Sequence, residues 1–170
     1  MVLAEKKRRK RHSWYEGNFF LIPLGDGSFG VGQVVLIERK ATGDGLPYVA
    51  LFSTRLSEVK DFEKIKSNLE NSDNQLLSVL MTPGTQLTDG LWPIVGAGVP
   101  RNIEKYISIQ LLRENNYIGE KSYTAGILVN FLEAYHGLKP WDMYFEPDFF
   151  DKLLISPDKK PNNLVYSKKK

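Results

Sequence analysis

The stretch that decides the fold runs Gly17-Asn18-Phe19-Phe20-Leu21-Ile22-Pro23-Leu24-Gly25-Asp26-Gly27-Ser28-Phe29-Gly30-Val31-Gly32-Gln33-Val34-Val35. Two apolar runs flank a Gly-Asp-Gly turn. An Asp-Gly step in that setting marks a β-hairpin, because glycine accepts the positive φ of a tight turn without steric cost. Gly30 and Gly32 stand two residues apart, so one face of the second strand carries no side chain there. A bare strip suits a bulge, a sharp coil of the strand, or close approach by another element. The hairpin is a signature of fold and carries no reactive group.

Outward from the hairpin, strands are predicted at Phe19–Leu24 and Phe29–Arg39, then a turn at Ala41-Thr42-Gly43-Asp44-Gly45 and a third strand at Pro47–Phe52. Leu56, Val59, Phe62, Ile65 and Leu69 recur every three or four residues, the spacing of one helix face. Glu58 and Asp61 early in that segment, with Lys64 and Lys66 late, complement the helix dipole. Gln75–Met81, Leu91–Val95 and Ile107–Leu112 read as further strands, and Pro93 makes the second of these an edge or a bulge. Trp92 beside it serves as an anchor for the core or for an interface. The clearest helix is Ala125–His136, begun by Ser122 or Thr124 and closed by Gly137. Its residues Ile127, Leu128, Phe131, Leu132 and Tyr135 form a wide apolar stripe that packs on the sheet. Leu164-Val165-Tyr166 fits a short edge strand. The predicted class is α+β: a strongly coiled antiparallel sheet of about five to seven strands, with helices at 56–69 and 123–136 packed against it.

Composition sets the limits on function. The chain has 170 residues, of which 42% are hydrophobic and 25% charged. That suits one globular domain over 14–158, between a basic arm at 1–13 and a basic tail at 159–170. With no cysteine, disulfides, thiolate zinc sites and a cysteine nucleophile are excluded. No apolar run is long enough for a membrane span, and the charged start is unlike a secretory signal, so the expected location is the cytoplasm. The net charge of +3 conceals an asymmetry: residues 13–158 hold 12 basic and 19 acidic side chains, a body of −7 between basic ends. An acidic body favours a basic partner. The basic ends leave nucleic-acid binding as the alternative, although Lys6–Arg11 lacks the interleaved aromatics that stack on bases.

No catalytic set emerges, so the chain is read as a non-enzyme with no cofactor and no metal. Its histidines are His12, in the basic arm, and His136, placed to cap a helix C-terminus. Gly25-x-Gly27-x-x-Gly30 matches a dinucleotide-binding spacing but opens a strand, leaving no helix N-terminus for a phosphate. Trp141-Asp142-Met143-Tyr144-Phe145-Glu146-Pro147-Asp148-Phe149-Phe150-Asp151 interleaves aromatics with four carboxylates and has no basic residue. Two readings are open. In one, it is a lid whose aromatics cap the core while its carboxylates face water. In the other, it is an anionic, aromatic surface that enters the phosphate-binding cleft of a basic enzyme, through Asp142, Tyr144, Glu146, Asp148, Phe149 and Asp151. Asp142 and Asp151 as a general acid–base pair is a third use, but nothing in the sequence activates them.

The pattern Gly17-x-Phe19-Phe20-x-Ile22-Pro23-Leu24-x-Asp26-Gly27-x-Phe29-Gly30-x-Gly32-x-Val34 resembles the opening of the immunity protein 26 family. Trp92-Pro93-Ile94-Val95-Gly96 is similar to its second signature, a Trp shortly before an apolar-Gly pair. The resemblance implies a bacterial immunity protein from a polymorphic toxin or contact-dependent inhibition system. Such a protein sits in the cytoplasm and neutralises one cognate toxin domain without catalysis. Read with the acidic body, it implies a basic nuclease as partner, blocked by occlusion of its active site.

Overall fold

The computed structural model describes residues 10–39 and 45–168. Most of the basic run Lys6–Arg11 and all but the last residue of the turn expected at 41–45 lie outside the described residues. The order of elements is β1 (Asn18–Pro23), β2 (Phe29–Arg39), β3 (Leu46–Leu56), α1 (Phe62–Asn71), β4 (Leu76–Met81), α2 (Thr85–Thr88), β5 (Ile94–Ala97), α3 (Ile109–Glu114) and α4 (Ala125–Tyr135). Short 3-10 turns occupy Val59–Asp61, Phe150–Leu153 and Pro157–Lys159. The five strands form one open sheet in the order β4-β3-β2-β1-β5, with every neighbouring pair antiparallel. This is the α+β class that the sequence predicts.

β1 explains how the core divides. Phe19, Phe20, Leu21 and Ile22 are all buried, a continuous run where a half-exposed strand would alternate. β1 lies between β2 and β5, and both faces of the sheet are covered, so both side-chain rows are dry. Phe20, Ile22, Val34, Val49 and Leu51 meet Leu128, Phe131 and Leu132 of α4, joined by Trp141, Phe150 and Leu153. Phe19, Leu21, Val31, Ala50 and Phe52 meet Phe62 and Leu69 of α1, with Ile103 and Ile109. The molecule is a three-layer stack with the sheet in the middle.

The hairpin turn forms as its sequence requires. Leu24 N–H donates to the Ser28 carbonyl at 2.9 Å, Asp26 Oδ1 accepts from Ser28 N–H at 3.0 Å, and Gly27 has φ +84°. The bare strip of β2 serves a close approach. A Cβ at Gly30 would stand 2.6 Å from Leu132 Cδ1, and one at Gly32 would strike the ring of Phe20. That ring in turn stacks on Trp92, with centroids 5.6 Å apart and planes at 3°. The β2–β3 ladder also shifts register after Gly30, Val34 and Leu36, irregularities of the kind that bend a strand.

Several boundaries differ from the sequence expectation, each for a local reason. Ile107–Leu112, read as a strand, becomes α3: the Ser108 side chain accepts from Leu111 N–H at 3.4 Å and starts a helix. The strand read at Leu91–Val95 moves to Ile94–Ala97, because Trp92 is taken into the core and the Pro93 carbonyl accepts from Leu21 N–H. Leu56 ends β3, so the helical segment begins later, with the 3-10 turn and then α1. Leu164-Val165-Tyr166 is not a strand; the Val165 carbonyl accepts one bond, from Trp141 N–H at 2.7 Å. His12, expected in a solvated arm, donates its N–H to the Thr88 carbonyl at 2.8 Å and lays its ring against Gly90.

Candidate functional site

The aromatic-acidic segment follows α4 directly. Gly137, with φ +77°, ends the helix, and Pro140 delivers Trp141 back to the core. Trp141 is buried, its ring 5.8 Å from Phe131 and 5.3 Å from Phe150. A buried indole N–H needs an acceptor, and Asp151 Oδ1 supplies it at 2.8 Å. Asp151 also pairs with Lys160 Nζ at 2.9 Å. Partial burial opposes ionisation of Asp151, but the bonds from Lys160 and Trp141 outweigh it and hold the carboxyl below its ordinary value.

The other predicted contacts divide by what they touch. Asp142 accepts from Ser167 N–H at 2.7 Å and Ser167 Oγ at 2.8 Å, tying the C-terminal residues to the segment. Tyr144 accepts on its hydroxyl from Asn130 Nδ2 at 2.9 Å, and its ring lies 4.8 Å from Phe149. Asn130 is itself oriented by Lys139, whose ammonium also meets the buried Glu133 at 2.6 Å. Glu133 Oε1 accepts from Gly25 N–H at 2.8 Å, so this network reaches from the segment to the hairpin turn. Phe149 is half-buried among Tyr123, Tyr144 and Phe150. Glu146 and Asp148 are exposed and share Lys152, at 2.7 and 3.7 Å.

The six residues therefore share one segment but have different surroundings. Asp142 and Asp151 are bonded within the protein, Tyr144 and Phe149 form a half-buried wall, and Glu146 and Asp148 face solvent. Asp142 and Asp151 have separate partners, Ser167 for one and Trp141 with Lys160 for the other. Sequence reasoning gave no weight to Met143, Phe145 and Pro147, which are exposed; Phe145 is completely so, at 103%. Their signal was present as an alternation with Asp142, Tyr144 and Glu146. Alternation alone carries no phase, so it does not say which of the two sets turns outward.

Elsewhere a groove of about 410 Å³ is lined by Glu70, Asp73, Val99, Pro100, Arg101 and Lys105. Asp73 gathers Arg101, Lys105 and the Tyr106 hydroxyl, the last at 3.0 Å, while the Arg101 guanidinium lies over the Phe52 ring. Burial raises the Asp73 pKa, but bonds from Lys105, Tyr106 and Arg101 win and lower it. The charges here compensate one another and clamp the loop after α1 to residues 101–106. His136 caps α4, and burial, with Arg55 nearby, pushes its pKa down to about 4. Among the described residues, no three His, Asp or Glu side chains are placed to hold a metal ion, and no helix is long and apolar enough to cross a membrane.

Residues 15–111 match immunity protein 26. That span takes in the whole sheet, α1, α2 and the start of α3, and it stops short of α4 and the aromatic-acidic segment. No curated protein and no solved structure matches the chain.

Proposed function

The chain belongs to the immunity protein 26 family, and from that premise we propose that it neutralises one cognate toxin domain, a basic nuclease, by occluding its active site. Family membership is the observation that carries the reading. The charge distribution supports the nuclease assignment, because a −7 body, from 12 basic and 19 acidic residues in 13–158, attracts a protein built to bind nucleic acid. The contact surface is the lid at 141–151, with Asp142, Tyr144, Glu146, Asp148, Phe149 and Asp151. Glu146 and Asp148 meet the toxin's basic side chains directly, and the others hold the surface in shape. No catalytic step is involved, and the complex forms in the bacterial cytoplasm.

The nucleic-acid alternative loses support from two tail lysines. Lys160 pairs with Asp151, and Lys159 Nζ donates to the Asn74 carbonyl at 3.0 Å, so both ammonium groups are engaged with the body of the protein. The test is co-expression with the toxin domain encoded beside the gene. A co-purifying complex and restored growth are expected. No complex and no restored growth, with both proteins folded, would overturn the reading. Oligonucleotide binding that falls steeply with salt would favour the alternative.

A further inference from the structure

The lid turns apolar side chains outward as well as inward. Asp142, Tyr144 and Glu146 direct their polar atoms to Ser167, Asn130 and Lys152. The residues alternating with them, Met143, Phe145 and Pro147, are exposed, as is Glu146 itself beside its Lys152 partner. Every other aromatic of 141–150 has a ring neighbour: Trp141 and Phe150 pack on Phe131, and Tyr144 packs on Phe149. Phe145 has full solvent exposure, so the fold gains nothing from placing an aromatic there. The loop that carries it is nevertheless fixed. Phe149 N–H donates to the Glu146 carbonyl at 3.0 Å, and the Asn130, Ser167 and Lys152 bonds pin it on both sides of the tip.

We propose that Phe145, flanked by Met143 and Pro147, is the anchor of the toxin interface and enters an apolar pocket whose rim carries lysine or arginine side chains. This rests on the toxin-neutralising reading and adds which residue dominates binding and what it binds. An exposed aromatic beside charged side chains is the arrangement of an interface hot spot, and an already ordered loop loses little freedom on binding. Glu146 and Asp148 beside the tip share the single Lys152, and the net negative charge they leave selects a basic rim. The same carboxylates disfavour insertion into an anionic lipid surface. They also disfavour a second copy of this chain, which would set like charges against each other.

The test titrates the full-length protein against the toxin domain encoded beside it, comparing wild type, Phe145→Ser, Phe145→Leu and Glu146→Lys/Asp148→Lys. Phe145→Ser should weaken binding by about thirtyfold or more, with an unchanged Tm because the side chain has no packing to lose. Phe145→Leu should retain most of the affinity, which a general distortion of the loop would not allow. The double charge reversal should act chiefly on the association rate, weakening binding about tenfold at low salt. Wild-type affinity in Phe145→Ser would overturn the anchor while leaving toxin binding intact. Absence of binding by wild type would overturn the toxin-neutralising reading and the anchor with it. Phe145-dependent pelleting with phosphatidylserine vesicles would also overturn it, in favour of a membrane.

Discussion

Residues 15–111 and residues 112–168 build the same core in opposite ways. The first span makes all five strands and covers one face of its own sheet, with Phe62, Leu69, Ile103 and Ile109. The second covers the other face with one helix and then with irregular chain held by particular side-chain bonds: Trp141 to Asp151, Asp142 to Ser167, Tyr144 to Asn130. The family match includes the first span and stops before the covering helix. The roof over the second face is therefore built by chain that lies beyond the matched span.

The strongest challenge to this division is to remove the roof. Deleting 125–168 should uncover Phe20, Ile22, Val34, Val49 and Leu51, and calorimetry should then show no cooperative transition. A sharp transition would mean that the sheet span folds alone. Next come single truncations on the two faces. Trp141→Ala and Phe62→Ala should each cost about 3–5 kcal/mol in urea denaturation, since both remove a fully buried ring. A much smaller cost at Trp141 would make the lid an appendage and not a layer.

Acid should distinguish the two spans by pH window. His136, in the roof, has its folded pKa lowered from 6.5 to about 4, so the unfolded chain binds the proton more readily. Its contribution is present above pH 6.5 and is lost as pH falls toward 4, and His136→Gln should flatten stability across that interval. Asp73, in the sheet span, is lowered below the ordinary carboxylate value, so its contribution holds to lower pH and disappears only through the acid range. Asp73→Asn should therefore lower stability by a near-constant amount from about pH 5 to 6.5, leaving the slope there unaltered, and flatten the acid limb below. The smallest effect is expected at the tip of the lid. Glu146→Gln should change stability by no more than about 0.5 kcal/mol, because its pair with Lys152 is solvent-exposed.

The parts legible in the sequence are those settled by near neighbours along the chain. Asp26-Gly27 fixes the hairpin and Gly137 fixes the end of α4, whatever the rest of the molecule does. Gly30 and Gly32 announce a close approach, although only the fold identifies Leu132 and Phe20 as what approaches. Ile107–Leu112 was ambiguous because a short apolar run suits strand or helix, and the cap at Ser108 decides it. In the lid, the bonding partners of Asp142, Tyr144 and Glu146 lie at 167, 130 and 152. Which of its side chains turn outward is a tertiary outcome, and alternation alone does not give the phase.

Leu132 closes over Gly30, yet the two residues lie far apart in the chain. During synthesis at roughly 5–20 residues per second, the interval between them is on the order of ten seconds. Throughout that interval the nascent sheet offers an uncovered apolar face built around Phe20, Ile22 and Val34. Cover for that face arrives only with α4, so the order of synthesis leaves this apolar surface of the sheet to be closed late.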